Sequence, residues 1–144
     1  MKEALEGTYS FDSSILLEML AGTSAGQTIT NLLAEGKLDA YTSYVNLAEA
    51  EYVICRKIGH DLAKSKIENF IDSNFVDLIP IEELLHVASR IKCERSIALA
   101  DCFCIAVAEV TSSKALFAFK EKEIARELHK RPFKVKIGFL DEVL

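Results

Sequence analysis

Three carboxylates lie where an alternating strand–helix fold delivers side chains to one edge of a sheet: Asp12, Glu49 and Asp101. Asp12 ends a short strand-like run, Gly7-Thr8-Tyr9-Ser10-Phe11, and is followed directly by two hydroxyls, Ser13 and Ser14, and a helical pattern. Glu49 falls in the first turn of the helix after the second strand, and Asp101 in the first turns of the helix before the fourth. Three such groups drawn together repel, and one takes a proton unless a cation sits among them. Hard oxygen donors without His or Cys suit Mg²⁺ or Mn²⁺ rather than zinc. A cation of that kind polarises a phosphoryl oxygen and lowers the pKa of a bound water, and a pair about 4 Å apart holds a phosphodiester in line for displacement.

Each acid also has a plain structural role. Asp12 can cap the helix beginning at Ser13. Glu49, three residues after Asn46, occupies the acidic place of a capping box. Asp101 favours the positive end of its own helix. Singly these roles are sufficient; the three together point to a shared cation.

The elements that must position them follow from hydrophobic period and turn residues. Strands are expected at 7–11, 38–42, 75–79, 115–119 and 133–137, the last alternating Phe133-Lys134-Val135-Lys136-Ile137 as an edge strand does. Helices are expected from Ser14 to Gly22, from Thr23 or Ser24 to Gly36, from Asn46 through Lys57, and over about 61–72, 81–95, 99–112 and 121–130. The rod at 99–112 is almost wholly apolar and must be buried on most sides. This alternation predicts a single domain over residues 1–144, an α/β/α sandwich on a mainly parallel five-stranded sheet. In such sheets ligands sit at the carboxyl ends of the strands, near the point where strand order reverses.

Composition narrows the class. Half of the 144 residues are hydrophobic and 27% are charged, as in ordinary globular proteins. No apolar run approaches the roughly 20 residues of a membrane helix. The start, Met1-Lys2-Glu3-Ala4-Leu5-Glu6, has no apolar signal core, so a cytoplasmic protein without membrane contact is expected. The net charge of −5 hides an asymmetry: residues 114–136 hold eight Lys or Arg against three Glu, a local +5, leaving −10 for the rest. A basic segment of this kind suits a phosphate backbone, or simply forms a solvated helix face.

Other chemistries find little support. Cys102 and Cys104, two apart in an apolar helix, diverge and read as buried reduced thiols; with Cys55 and Cys93 they show no zinc spacing. His60, His86 and His129 have no partner in a nucleophile motif and read as surface or helix-end residues. No glycine-rich phosphate loop follows the first strand.

The runs Tyr9-Ser10-Phe11-Asp12-Ser13-Ser14-Ile15-Leu16, Tyr41-Thr42-Ser43-Tyr44-Val45-Asn46-Leu47-Ala48-Glu49-Ala50-Glu51-Tyr52 and Ser96-Ile97-Ala98-Leu99-Ala100-Asp101 resemble the three acidic motifs of PIN-domain ribonucleases. Their order and spacing are similar to those of the small VapC-type toxins, over nearly the whole chain. The resemblance implies a Mg²⁺- or Mn²⁺-dependent endoribonuclease acting on RNA, often a homodimer and often held inactive by a small antitoxin. Asp12, Glu49 and Asp101 would then be metal ligands and water activators. Ser13 and Ser43 stand where the family places hydroxyls that support the acidic centre.

A departure falls at the fourth motif, where the family commonly has Thr, one spacer and Asp. This chain reads Phe117-Ala118-Phe119-Lys120-Glu121-Lys122-Glu123, with Ala118 for the Thr and Lys120 for the Asp. Glu121 is the nearest substitute as a metal ligand, Glu123 the next, and Lys120 is a candidate phosphate contact. Two alternatives keep the acidic pocket: a weakly active or inactive PIN-like interaction module, and a Mg²⁺-binding receiver-like domain with Lys120 as its lysine. The receiver lacks its adjacent acids after strand one. A haloacid-dehalogenase-type enzyme would need an acid where Ser14 stands.

Overall fold

The computed structural model describes residues 4–144. Five strands form one sheet in the order β3-β2-β1-β4-β5, with β1 Gly7–Phe11, β2 Leu38–Ser43, β3 Asp77–Ile79, β4 Lys114–Phe117 and β5 Ile137–Phe139. Every pairing is parallel. Helices α1 Ser13–Ala21, α2 Ser24–Ala34, α3 Tyr44–Ile58 and α4 His60–Ser73 precede β3. Then come α5 Ile81–Glu94, α6 Leu99–Thr111, α7 Lys122–Lys130 and the short α8 Leu140–Val143. The architecture is the α/β/α sandwich expected, since parallel strands require crossovers that cover both faces.

Alternation along β4 shows how one strand serves two cores. Leu116, with Ala118 just beyond the strand, packs among residues of α1 to α4 such as Ile15, Ile29, Leu47 and Ile67. Ala115 and Phe117 face the opposite way, toward Leu84 of α5, Ile105 of α6 and Ile124 of α7. The apolar rod α6 is buried from Ala100 through Ala108. It is tied to the central strand where the Ser10 hydroxyl donates to the Cys104 carbonyl at 2.7 Å. Cys102 and Cys104 are buried free thiols, as expected, whereas Cys55 is half-buried and Cys93 exposed. Burial pushes the Cys102 thiol up to about 11 and holds Cys104 well above its usual value. Both are therefore inert as nucleophiles. All three histidines are exposed.

Several expected boundaries move. The last strand is Ile137–Phe139, not 133–137, because the short β4 offers partners only for Ile137, Gly138 and Phe139. Phe133 is used elsewhere: its ring lies under the Arg95 guanidinium at 4.0 Å. Arg95 is itself buried and donates to the Glu127, Arg131 and Pro132 carbonyls, fastening the end of α5 to the end of α7. β3 shrinks to three residues after Asn74, which takes a left-handed conformation to end α4. β4 begins at Lys114 and stops at Phe117, leaving Phe119 exposed, and α8 has no counterpart among the expected helices.

The start of α3 matters most for the site. Its N-cap is Ser43, whose hydroxyl accepts the Asn46 amide at 3.1 Å, so the helix begins at Tyr44 rather than Asn46. Ser43 ends a strand in extended conformation, which is the geometry an N-cap needs. Glu49 is thereby displaced from a capping box into the second turn and is free of a capping role. Among the described residues no helix is long and apolar enough to cross a membrane.

A candidate acidic site at the sheet switch point

β1 pairs β2 on one side and β4 on the other, so chain order reverses between β1 and β4. That gap, at the carboxyl ends of the strands, is where an open parallel sheet leaves a crevice. Asp12 sits at its mouth, with its backbone amide donating to the Leu116 carbonyl at 3.0 Å. Its side chain serves two roles at once. Oδ2 accepts the Ser14 amide at 3.0 Å and the Ser14 hydroxyl at 2.7 Å, which caps α1. Oδ1 is buried with no hydrogen-bond partner, alone in this among buried side-chain nitrogen and oxygen atoms of the described residues. A buried carboxylate oxygen left unpaired costs about 1–3 kcal/mol, more when charged, a cost that a proton, a water or a cation relieves.

The other acids press on this one. Burial, offset in part by the Ser14 hydrogen bonds, raises Asp12 to about 6, and Glu49 adds to the rise. Asp101, in the first turn of α6 and almost fully buried, is pushed up to about 8. Burial is its main cause, followed by the charges of Asp12, Glu121, Glu49 and Glu123. Glu121 is raised as well, by partial burial and then by Glu123 and Glu49. Carboxylates from four chain regions thus share one field. Among the described residues no group of three or more His, Cys, Asp and Glu is already gathered closely enough to hold a metal ion. The acids feel one another's charge without forming a ready-made cation site.

Glu121 occupies the N-cap position of α7 yet makes no side-chain cap bond, so its carboxylate is not consumed by the helix. Lys120 turns the other way. Its ammonium lies 3.7 Å from Glu142 and 5.5 Å over the Phe139 ring, on the side of α8.

The hydroxyls divide their work differently from the expectation. Ser13 and Ser43 both bond Asn46 rather than a carboxylate. Ser14 supports the acid directly, and the same hydroxyl accepts the Ala118 amide at 2.9 Å. Ser14 and Asn46 were therefore not legible as site residues. Two adjacent serines are equivalent in sequence, and Asn46 carried only the signal of a helix cap.

A parallel α/β/α domain with mutually interacting carboxylates at its switch point defines the class. The PIN-domain family model matches residues 9–128, and the chain belongs to that family. Solved structures share the architecture. VapBC from Salmonella typhimurium, bound to DNA, aligns with a TM-score of 0.67 at 11% identity, over 92% of this chain and 98% of that one. VapBC-1 from nontypeable Haemophilus influenzae gives 0.62 at 12% identity, over 93% and 98%. VapC20 of Mycobacterium tuberculosis, a sarcin-ricin loop cleaving toxin, gives 0.59 at 21% identity, over 82% and 94%. At these identities the likeness establishes the fold. A search of curated proteins finds no match.

Proposed function

We propose that this protein is a divalent-cation-dependent endoribonuclease, acting as the toxin of a toxin–antitoxin pair. The observation that carries the reading is the unpartnered Asp12 Oδ1, buried in a site where Asp101, Glu49 and Glu121 add only negative charge. Oxygen-only donors of this kind fit Mg²⁺ or Mn²⁺. Asp12, Asp101 and Glu49 would hold the ion, with Glu121 in place of the family's fourth acid. When bound, the cation supplies charge neutralisation at the phosphoryl group and a more acidic water.

The chain's own residues do the rest. Ser14 holds Asp12 Oδ2, which leaves Oδ1 uncommitted for the ion. The raised proton affinity of Asp101 reflects burial and neighbouring negative charge, the same unfavourable field that a bound cation would relieve. Lys122 and Arg126 are exposed one turn apart on α7, which starts beside Glu121. Their spacing of about 6 Å along the helix suits successive phosphates of a single strand. Lys120 can join them, since an exposed pair with Glu142 is weak and readily exchanged for a phosphate.

For partners we propose a small antitoxin and a second copy of the chain. An apolar groove between α1 and α3, lined by Leu17, Leu20, Val53 and Ile54, offers the antitoxin a seat. Exposed Ile81 and Leu85, one turn apart on α5, offer an apolar face for dimerisation. A cytoplasmic location is part of the same proposal, since the RNA target is there.

The test is RNA cleavage with and without Mn²⁺, in wild type, Asp12→Asn and Asp101→Asn. Cation-dependent cleavage lost in both variants supports the reading; cleavage unchanged in either assigns the activity elsewhere. Ala118 and Lys120, at the places of the family's Thr and Asp, favour a second reading as an inactive PIN-like module. Calorimetry separates the two, because such a module binds no Mn²⁺ specifically.

A further inference from the structure

Asn46 is completely buried and carries no charge, yet its side chain touches the neighbours of two acids. Its Nδ2 donates to the Ser13 hydroxyl at 3.2 Å and to the Ala100 carbonyl at 3.0 Å. Its Oδ1 accepts the Ser43 hydroxyl at 2.6 Å. Ser13 follows Asp12 in the chain, and Ala100 precedes Asp101. Glu49 lies three residues on from Asn46, on the same face of α3. One amide therefore joins the start of α1, the start of α3 and the start of α6, the three elements that carry the three acids.

Helix capping does not require this side chain. The cap of α3 is the Ser43 hydroxyl accepting a backbone amide, which any residue at position 46 would supply. The two Nδ2 bonds span 33 and 54 residues and have no capping function. They also oppose a specific force, because Asp12 and Asp101, when both are ionised, drive the β1 end and the α6 start apart. A neutral group with two donors and an acceptor in one plane can hold those elements together without adding charge.

We propose that Asn46 is the positioning residue of the acidic site, setting the separation of Asp12, Glu49 and Asp101 and thereby the site's affinity for a divalent cation. This rests on the reading of the acids as a cation centre. Residues that orient metal ligands from behind typically change affinity by about 10- to 100-fold when removed.

The experiment is calorimetric titration of Mn²⁺, without RNA, into wild type, Asn46→Ala and Ile67→Ala, with melting followed by circular dichroism. Ile67 lies on the buried face of α4 and makes none of the site's hydrogen bonds, so its truncation lowers stability while leaving those bonds intact. Positioning predicts Mn²⁺ affinity weakened about 10- to 100-fold in Asn46→Ala and unchanged in Ile67→Ala at a comparable loss of melting temperature. Equal affinity in Asn46→Ala and wild type overturns the proposal and leaves the cation reading standing. Weakening of the same size in Ile67→Ala also overturns it, because general loosening then explains the effect. Absence of binding in wild type removes the cation reading and the proposal with it. Should Asn46→Ala not fold, Ser13→Ala cuts one of the same bonds from the other side; reduced Mn²⁺ affinity supports positioning and unchanged affinity refutes it.

Discussion

The Ser14 hydroxyl accepts the amide of Ala118 at 2.9 Å while donating to Asp12 at 2.7 Å, joining residues 104 apart in sequence. One oxygen thus sets the direction of the acid at the end of β1 and ties α1 to the chain leaving β4. Ser14→Ala removes both bonds and leaves a polar amide with no partner in the protein. We expect a loss of about 1–3 kcal/mol in unfolding free energy. Cation-dependent cleavage should fall by about 10- to 100-fold, since Asp12 loses the group that orients it. Urea denaturation and a cleavage assay on the same preparation measure the two effects. A stability loss without any change in cleavage would show that Asp12 is oriented by the Ser14 amide alone.

The raised acids make stability depend on pH in a definite direction. Asp12 at about 6 and Asp101 at about 8 bind protons more tightly folded than unfolded. Their contribution is fully present below about pH 4, the ordinary carboxylate range, and is lost as pH rises through 6 and then 8. Metal-free protein should therefore melt at progressively lower temperature between about pH 5 and 9. Asp101→Asn should flatten the upper part of this profile, and Mn²⁺ should restore stability to wild type at pH 8. A profile identical in wild type and Asp101→Asn contradicts the burial described for Asp101.

Glu121 and Lys120 predict opposite outcomes for neighbouring substitutions. Glu121 shares the field of Asp101, whereas the Lys120 ammonium is directed to Glu142. Glu121→Gln should weaken Mn²⁺ binding by about tenfold, in keeping with loss of one anionic group from the site. Lys120→Ala should leave Mn²⁺ affinity within about twofold, because an exposed pair contributes little. If Lys120→Ala instead strengthens Mn²⁺ binding markedly, its charge reaches the site.

Exposed Lys122 and Arg126 should act through phosphate contacts. With Asp101→Asn protein to prevent cleavage, RNA affinity should fall with salt, and each substitution to Ala should reduce the log–log slope by about 0.7 for a single strand. Fluorescence anisotropy over a salt series provides the measurement. Slopes unchanged by both substitutions place the RNA on another face.

The alternation of strand and helix was legible because its signals are local. Apolar period, terminating glycines and the unbroken run at β4 fix element type within a few residues of chain, and their order fixes a parallel sheet. Boundaries were less legible where a partner sets them. The last strand lies at Ile137–Phe139 because β4 offers only those pairings, and Phe133 is held by Arg95 instead.

By itself the sequence determined that Asp12 follows the first strand and that Glu49 and Asp101 lie near the starts of helices packed on the sheet, since position within an element is a local property. Only the tertiary structure decided what they do there. Asp12 reads equally as a helix cap or a ligand until its two oxygens are seen apart, one held by Ser14 and the other buried and unpaired. Asn46 reads as a cap until its amide is found between Ser13 and Ala100, partners 33 and 54 residues away. Hydrogen-bond direction and desolvation depend on what packs around a side chain, and that environment is assembled from distant parts of the chain.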